Sequence, residues 1–194
     1  MRMSKTQFLW LATLFEGGLG GLAFLLGALF GIDPLEHFRP EAESLPDSLL
    51  ATLVLYGMFA LAYRFQFTHP IRQFLIDKMG SLLAGCSLIE LTYLGCLAGV
   101  TEELLFRGFL QPWLEIQWGW LGGWIFSNLI FALLHWITPL YALLAGLCGL
   151  YLGLVLDLGA ERNLFNPMLV HALYDVLAFI AIVRAWRSAE LGKS

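Results

Sequence analysis

Three groups of polar residues in a strongly apolar chain have the types and spacing to do chemistry. The first is Glu102-Glu103-Leu104-Leu105-Phe106-Arg107. On a helix, residues four apart share a face, so Glu103 can pair with Arg107. Glu102, rotated by about 100°, is left available for proton transfer. The second is Phe131-Ala132-Leu133-Leu134-His135, an imidazole with an aromatic ring one turn before it. The third is His171-Ala172-Leu173-Tyr174-Asp175, a pair one turn apart that could orient a ring, bind a metal or satisfy itself. Each group alone also fits a structural role: a buried ion pair, a histidine bonded to a neighbouring helix, a self-contained pair. Together they offer what is needed to activate water and stabilise an oxyanion. Glu102, His135 and His171 are equally the donor set of a zinc site, so zinc stays possible, although no cofactor is favoured.

These groups need a scaffold, and the composition says which. The 194 residues are 59% hydrophobic and 13% charged, about half the charge of an ordinary soluble domain. Apolar runs near 8–31, 48–64, 82–116, 119–138, 140–157 and 165–184 are candidate membrane spans. The fold class is therefore all-α, a polytopic transmembrane bundle of about six spans. The segment 66–80, opened by Pro70, predicts an interfacial helix between spans two and three. Seven Trp and six Tyr suit two membrane interfaces. Cys86, Cys96 and Cys148 lie in apolar runs without Cys-x-x-Cys spacing, so neither disulfides nor a zinc–thiolate site is expected. A net charge of −4 with no basic cluster gives no sign of a nucleic-acid partner.

Orientation follows from the basic residues. With a cytoplasmic N-terminus, the inner segments hold Arg2, Lys5, Arg64, Arg72, Lys78, Arg184, Arg187 and Lys193; the outer ones hold Arg39 and Arg162. Both termini are thus expected in the cytoplasm, in a cell (inner) membrane. The first run is too long for a cleaved signal peptide and lacks a small-residue cleavage site, so it reads as an anchor. One membrane-embedded domain, 1–194, is expected, with its motifs in about 98–180.

At these residues the chain resembles the CPBP family, named for CAAX proteases and bacteriocin-processing proteins and also called Abi. The family motifs E-E-x-x-x-R, F-x-x-x-H and H-x-x-x-N/D occur here in order as Glu102-Glu103-x-x-x-Arg107, Phe131-x-x-x-His135 and His171-x-x-x-Asp175, with Gly108 completing a Phe-Arg-Gly run. The resemblance implies a glutamate-dependent intramembrane protease, a class formerly described as metalloproteases. By resemblance, Glu102 is the general base and His135 helps it activate water. His171 and residue 175 hold the oxyanion, while Glu103 and Arg107 set the helix and the charge. An ionised Asp175 cannot donate to an oxyanion as Asn can, which favours Asp175 as the group orienting His171.

The expected function is endopeptidase cleavage of a membrane-associated protein or peptide, at or within the lipid bilayer. The alternatives are a non-catalytic membrane partner or immunity-type scaffold and, third, a small proton-relaying transporter. The CAAX activity of some relatives is not carried over. A turn at Gln117-Trp118-Gly119 puts Glu103 and His135 about 21 and 24 Å from it, at similar depth. That requires a long third span, kinked near Gly95 and Gly99. Straight helices would leave His171 on the order of 15–20 Å from His135 in depth.

Overall fold

The computed structural model describes residues 3–192; Arg2 and Lys193, counted above among the cytoplasmic charges, lie outside them. Among the described residues the chain forms α-helices and no strand. Helix α1 (Lys5–Phe30) opens with a capping box, Ser4 and Gln7 bonding each other's backbone N–H, and ends on Gly31 at φ 71°. Helix α2 is Leu45–Ala62, and α3 (His69–Ala84) starts with Pro70 in its first turn. A second capping box, Ser87 with Glu90, starts α4 (Leu88–Glu103). Helix α5 is Gln111–Leu134, α6 is Pro139–Val155 and α7 is Phe165–Leu191.

Contacts between the helices give their directions. Lys5 Nζ lies 2.9 Å from Glu90 Oε1, and Arg187 Nη2 donates to the Ala84 carbonyl, so the starts of α1 and α4 and the end of α7 share one end of the bundle. At the other end, Phe30 packs on Phe109 and Trp113. There the Leu164 N–H also donates to the His37 carbonyl at 2.8 Å.

Helices α1, α2 with its preceding turn (Ala42–Ala62) and α7 are each long and apolar enough to cross a membrane alone. The expected 82–116 span needs correction at its start: α3 continues to Ala84, and Ser87 begins a new helix. Helix α3 carries Gln73, Asp77 and Lys78 outward and buries Ile71, Gly80 and Leu83, as an interfacial helix should.

The expected kink at Gly95 and Gly99 is also corrected. Both lie inside the regular helix α4, where they let α7 approach. A Cβ on Gly99 would meet the Ala172 backbone nitrogen at 2.5 Å, and one on Gly95 would meet Val176 Cγ2 at 2.7 Å. Gly99→Ala is therefore expected to cost about 1–3 kcal/mol as overpacking. An unchanged melting temperature in detergent would contradict that close approach. The irregularity falls instead at Leu104–Leu110, a π-helical segment joining α4 to α5, with the Gln111 N–H reaching back to the Phe106 carbonyl.

Gly119, at φ 72° and ψ 172°, breaks α5 where the turn is expected. The two arms then lie antiparallel, Phe106 on Phe131 and Trp118 on Phe126. Pro139 opens α6 and holds its N-cap Thr138 extended, at φ −139° and ψ 159°.

A clasp fixes the loop between α6 and α7. Arg162 donates to both oxygens of Glu115, at 2.6 and 3.0 Å, and both of Asp157, at 2.7 and 3.1 Å; Trp120 Nε1 adds a bond to Asp157. Burial pushes the Asp157 carboxyl up, but the bonds from Arg162 and Trp120 outweigh it and hold the group below its ordinary value. Because the folded value is the lower one, this contribution is complete above the unfolded value near ~3.9 and is lost as pH falls further. Amide exchange of residues 156–164, corrected for the intrinsic rate, is expected to rise as the pH falls below about 3.9. Unchanged exchange across that range would show that the clasp contributes nothing there.

Candidate active site

Glu102 and Glu103 occupy the last turn of α4, and Arg107 lies in the π-helical segment. Glu103 is fully buried and Arg107 is 1% exposed. Arg107 Nη1 donates to Glu103 Oε1 at 2.9 Å, the expected pair, and Nη2 donates to Asn128 Oδ1 at 2.7 Å and the Gly149 carbonyl at 2.5 Å. One guanidinium thus ties the α4 terminus to α5 and α6. Two charges buried this deeply persist because each is paired and bonded.

His135 caps the C-terminus of α5, and its Nδ1 is 2.8 Å from the Phe131 carbonyl. A carbonyl only accepts, so Nδ1 carries the proton and a neutral ring presents a lone pair at Nε2. Phe131 stacks on the His135 ring at 4.2 Å between centroids and packs edge-on against Phe106. The F-x-x-x-H spacing is therefore a ring support.

His171 is buried, and its Nδ1 lies 2.8 Å from Glu103 Oε1, the oxygen that Arg107 also holds. Asp175 Oδ2 stands 3.7 Å from the other ring nitrogen, beyond hydrogen-bond length. The bond that orients His171 comes from Glu103 and not, as expected, from Asp175.

Glu102 is 9% exposed, and its Oε2 is buried without a hydrogen-bond partner among the described residues. It stands 3.9 Å from His135 Nε2 and 4.0 Å from His171 Nε2. These separations exceed a direct hydrogen bond, and a shared hydrogen-bonded oxygen would span them.

The expected depth gap between His135 and His171 is overturned. The loop before α7 reaches inward from the far end of the bundle. Asn163 turns the loop inward through its bonds to the Leu156 carbonyl and the Arg39 backbone. Leu164 is then buried in one cluster with Leu104, Leu105 and Phe106. The helix starts level with the π-helical segment, and six residues bring His171 to Glu103.

A family model described as type II CAAX prenyl endopeptidase Rce1-like matches residues 84–177, which include every motif residue above. Over this segment the chain is similar to the Rce1-like family. No curated protein and no solved structure matches the chain. The matched residues run from the end of α3 through Asp175, so α1 and α2 lie outside the Rce1-like match. With its apolar helices and this similarity, the chain is an integral membrane protein that resembles a CAAX-protease family over less than half of its length.

The candidate site also contains residues that the motifs do not name. Asn128 lies on the face of α5 shared by Phe131 and His135, a spacing of three and seven that could have marked it. Gly149 supplies a backbone carbonyl, and a Cβ there would meet Asn128 Oδ1 at 2.5 Å; no sequence signal announces such a role. Glu16 of α1 is a lone carboxylate inside a span, a signal that was available. The Nε2 atoms of both histidines and the Glu102 carboxylate are of the types zinc takes. Among the described residues, however, no three His, Cys, Asp or Glu side chains are grouped to hold a metal ion.

Proposed function

We propose that the chain is an intramembrane endopeptidase that hydrolyses a peptide bond of a membrane-associated protein with water activated at Glu102. The observation that supports this most is the unpartnered Glu102 Oε2 facing the Nε2 atoms of two oriented imidazoles at 3.9 and 4.0 Å. In this reading, water bridges Glu102 Oε2 and the lone pair on His135 Nε2. Glu102 takes one water proton as the oxygen attacks the scissile carbonyl carbon. The carbonyl π electrons pass to its oxygen, and that oxyanion accepts a hydrogen bond from His171 Nε2–H when the ring is protonated. Glu102 returns its proton to the amide nitrogen, the C–N bond breaks, and a carboxylic acid and an amine leave.

Glu103 and Arg107 hold His171 in place, and Asp175 supports the charged ring from beside Nε2. The substrate contributes the reacting peptide and the bilayer positions it. Prenylated CAAX chains are one substrate class to try, on the strength of the family description alone. The termini share one end of the bundle, as an even number of crossings requires, and with the basic bias this supports cytoplasmic N- and C-termini.

Protein termini in membranes containing the chain should include a set missing from membranes with matched amounts of Glu102→Ala. Identical sets from a folded wild type and variant would remove the protease reading and favour a non-catalytic membrane partner.

A further inference from the structure

Besides Glu102 Oε2, three buried polar atoms near the candidate site make no hydrogen bond to any described residue: Glu103 Oε2, Arg107 Nε and Gln111 Oε1. They belong to residues spaced four apart along the chain. Such atoms are rare in folded proteins, and each calls for a partner. Glu103 Oε2 needs least explanation, because the other oxygen of that carboxylate already carries the bonds to Arg107 and His171. Arg107 Nε and Gln111 Oε1 remain, one donor and one acceptor.

Glu115 fixes which way the Gln111 amide points. Its Oε1 lies 3.0 Å from the Gln111 amide nitrogen, and a carboxylate bound by Arg162 only accepts. The amide therefore gives its nitrogen to Glu115 and turns its oxygen elsewhere. Gln111 is fully buried, and Arg107 is 1% exposed. The wide π-helical turn, closed by the Gln111 N–H on the Phe106 carbonyl, keeps residues 107 and 111 on one face. Both meet the second arm of α5. Arg107 Nη2 bonds Asn128, and a Cβ on Gly123 would meet Glu115 Cγ and, at 2.8 Å, the Gln111 carbonyl. Between these two points on that arm stands Ser127, 1% exposed. Its hydroxyl donates to the Trp124 carbonyl at 3.3 Å and keeps its lone pairs.

A guanidinium and a carboxamide one turn apart are joined either directly or through a third molecule. The direct bond is not made. A bound cation would face the charge of Arg107. An anion would face the Gln111 oxygen, with Glu103 and Glu115 on either side. Water both accepts and donates, and it occupies buried polar sites where it finds two to four partners.

We infer that Arg107 and Gln111 form an internal water-binding site bordered by Ser127, in which Arg107 Nε–H donates to the water and the water donates to Gln111 Oε1. This water is separate from the one that reacts at Glu102. It completes a row of hydrogen bonds from His171 through Glu103, Arg107 and Gln111 to Glu115 and Arg162. The guanidinium that fixes Glu103, and through it His171, is then held at all three of its nitrogens.

The test uses the purified full chain in detergent micelles, labelled with nitrogen-15 at arginine, and its probe is water itself. The Arg107 Hε signal is identified by its contact with the Phe131 ring, whose centroid lies 5.2 Å from Cζ. In wild type this proton is expected to exchange slowly and to show a direct dipolar cross-peak to a long-lived water. Gln111→Met keeps the length of the side chain and removes the acceptor, so the cross-peak should be lost. Gln111→Glu keeps an oxygen in that place and should retain it, which a merely space-filling role for Gln111 would not require. Thermal melts show that each variant is folded.

A wild type without the cross-peak would overturn the site, whether or not Gln111→Met folds. So would a folded Gln111→Met that keeps the cross-peak, or its loss in Gln111→Glu as well. The readout is a proton signal and not cleavage, so its failure is distinct from failure of the endopeptidase reading.

Discussion

Arg107→Met is expected to destabilise the protein by about 3–5 kcal/mol, the range for removing one partner of a buried ion pair. Methionine has a similar reach and no donor. The change strips a bond from Glu103 Oε1, leaves Asn128 Oδ1 without its 2.7 Å donor and frees the Gly149 carbonyl. These acceptors sit where little water reaches, on three separate helical segments. A buried Glu103 carboxylate left with His171 as its one partner is the largest part of the cost. The double variant Glu103→Gln/Arg107→Met should recover part of the stability, because the orphaned charge goes too. Thermal melts in detergent, with the folded yield from membranes, give both numbers. A single variant that melts like wild type would show that the guanidinium is not holding the bundle.

Glu102→Gln should behave in the opposite way, lowering kcat by about 10²–10⁴ while the melting temperature stays put. Its Oε2 makes no hydrogen bond to any described residue, so the amide forfeits no contact on which the fold relies. What it loses is a carboxylate oxygen, 3.9–4.0 Å from two imidazoles, able to take a proton from water. Kinetics on any cleaved membrane peptide, paired with a melt, separates the two effects. Retained turnover in Glu102→Gln would eliminate glutamate-assisted water activation.

The candidate site residues were legible because lipid makes polar residues conspicuous. Glu102, Glu103, Arg107, His135 and His171 stand out against Leu, Phe and Ala, and helical spacing already paired Glu103 with Arg107 and left Glu102 free. The all-α bundle and the turn at Gly119 followed from apolar run lengths and a single glycine. Less visible was anything that depends on how helices meet. Gly95 and Gly99 suggested a bend, whereas they admit the α7 backbone, and only the neighbouring helix distinguishes the two. The depth of His171 was misjudged because equal straight helices were assumed, and the inward turn at Asn163 depends on the distant backbone of Arg39. Gly149 contributes through a carbonyl, which every residue has.

The π-helical turn imposes a rule on chain length. Leu104–Leu110 accommodates one more residue than a regular helix would in the same rise. Deleting a single residue there would let the segment relax into ordinary helix with the flanking arms roughly in register, whereas inserting one more would swing everything beyond it by about 100° relative to Glu102. Substitutions in this stretch alter one side chain, but an insertion would turn Asn128, Phe131 and His135 away together. The segment should therefore tolerate exchange of its apolar residues far better than the gain of one. An insertion scan from Leu104 to Leu110 would make that visible as a sharp, contiguous block of inactive variants.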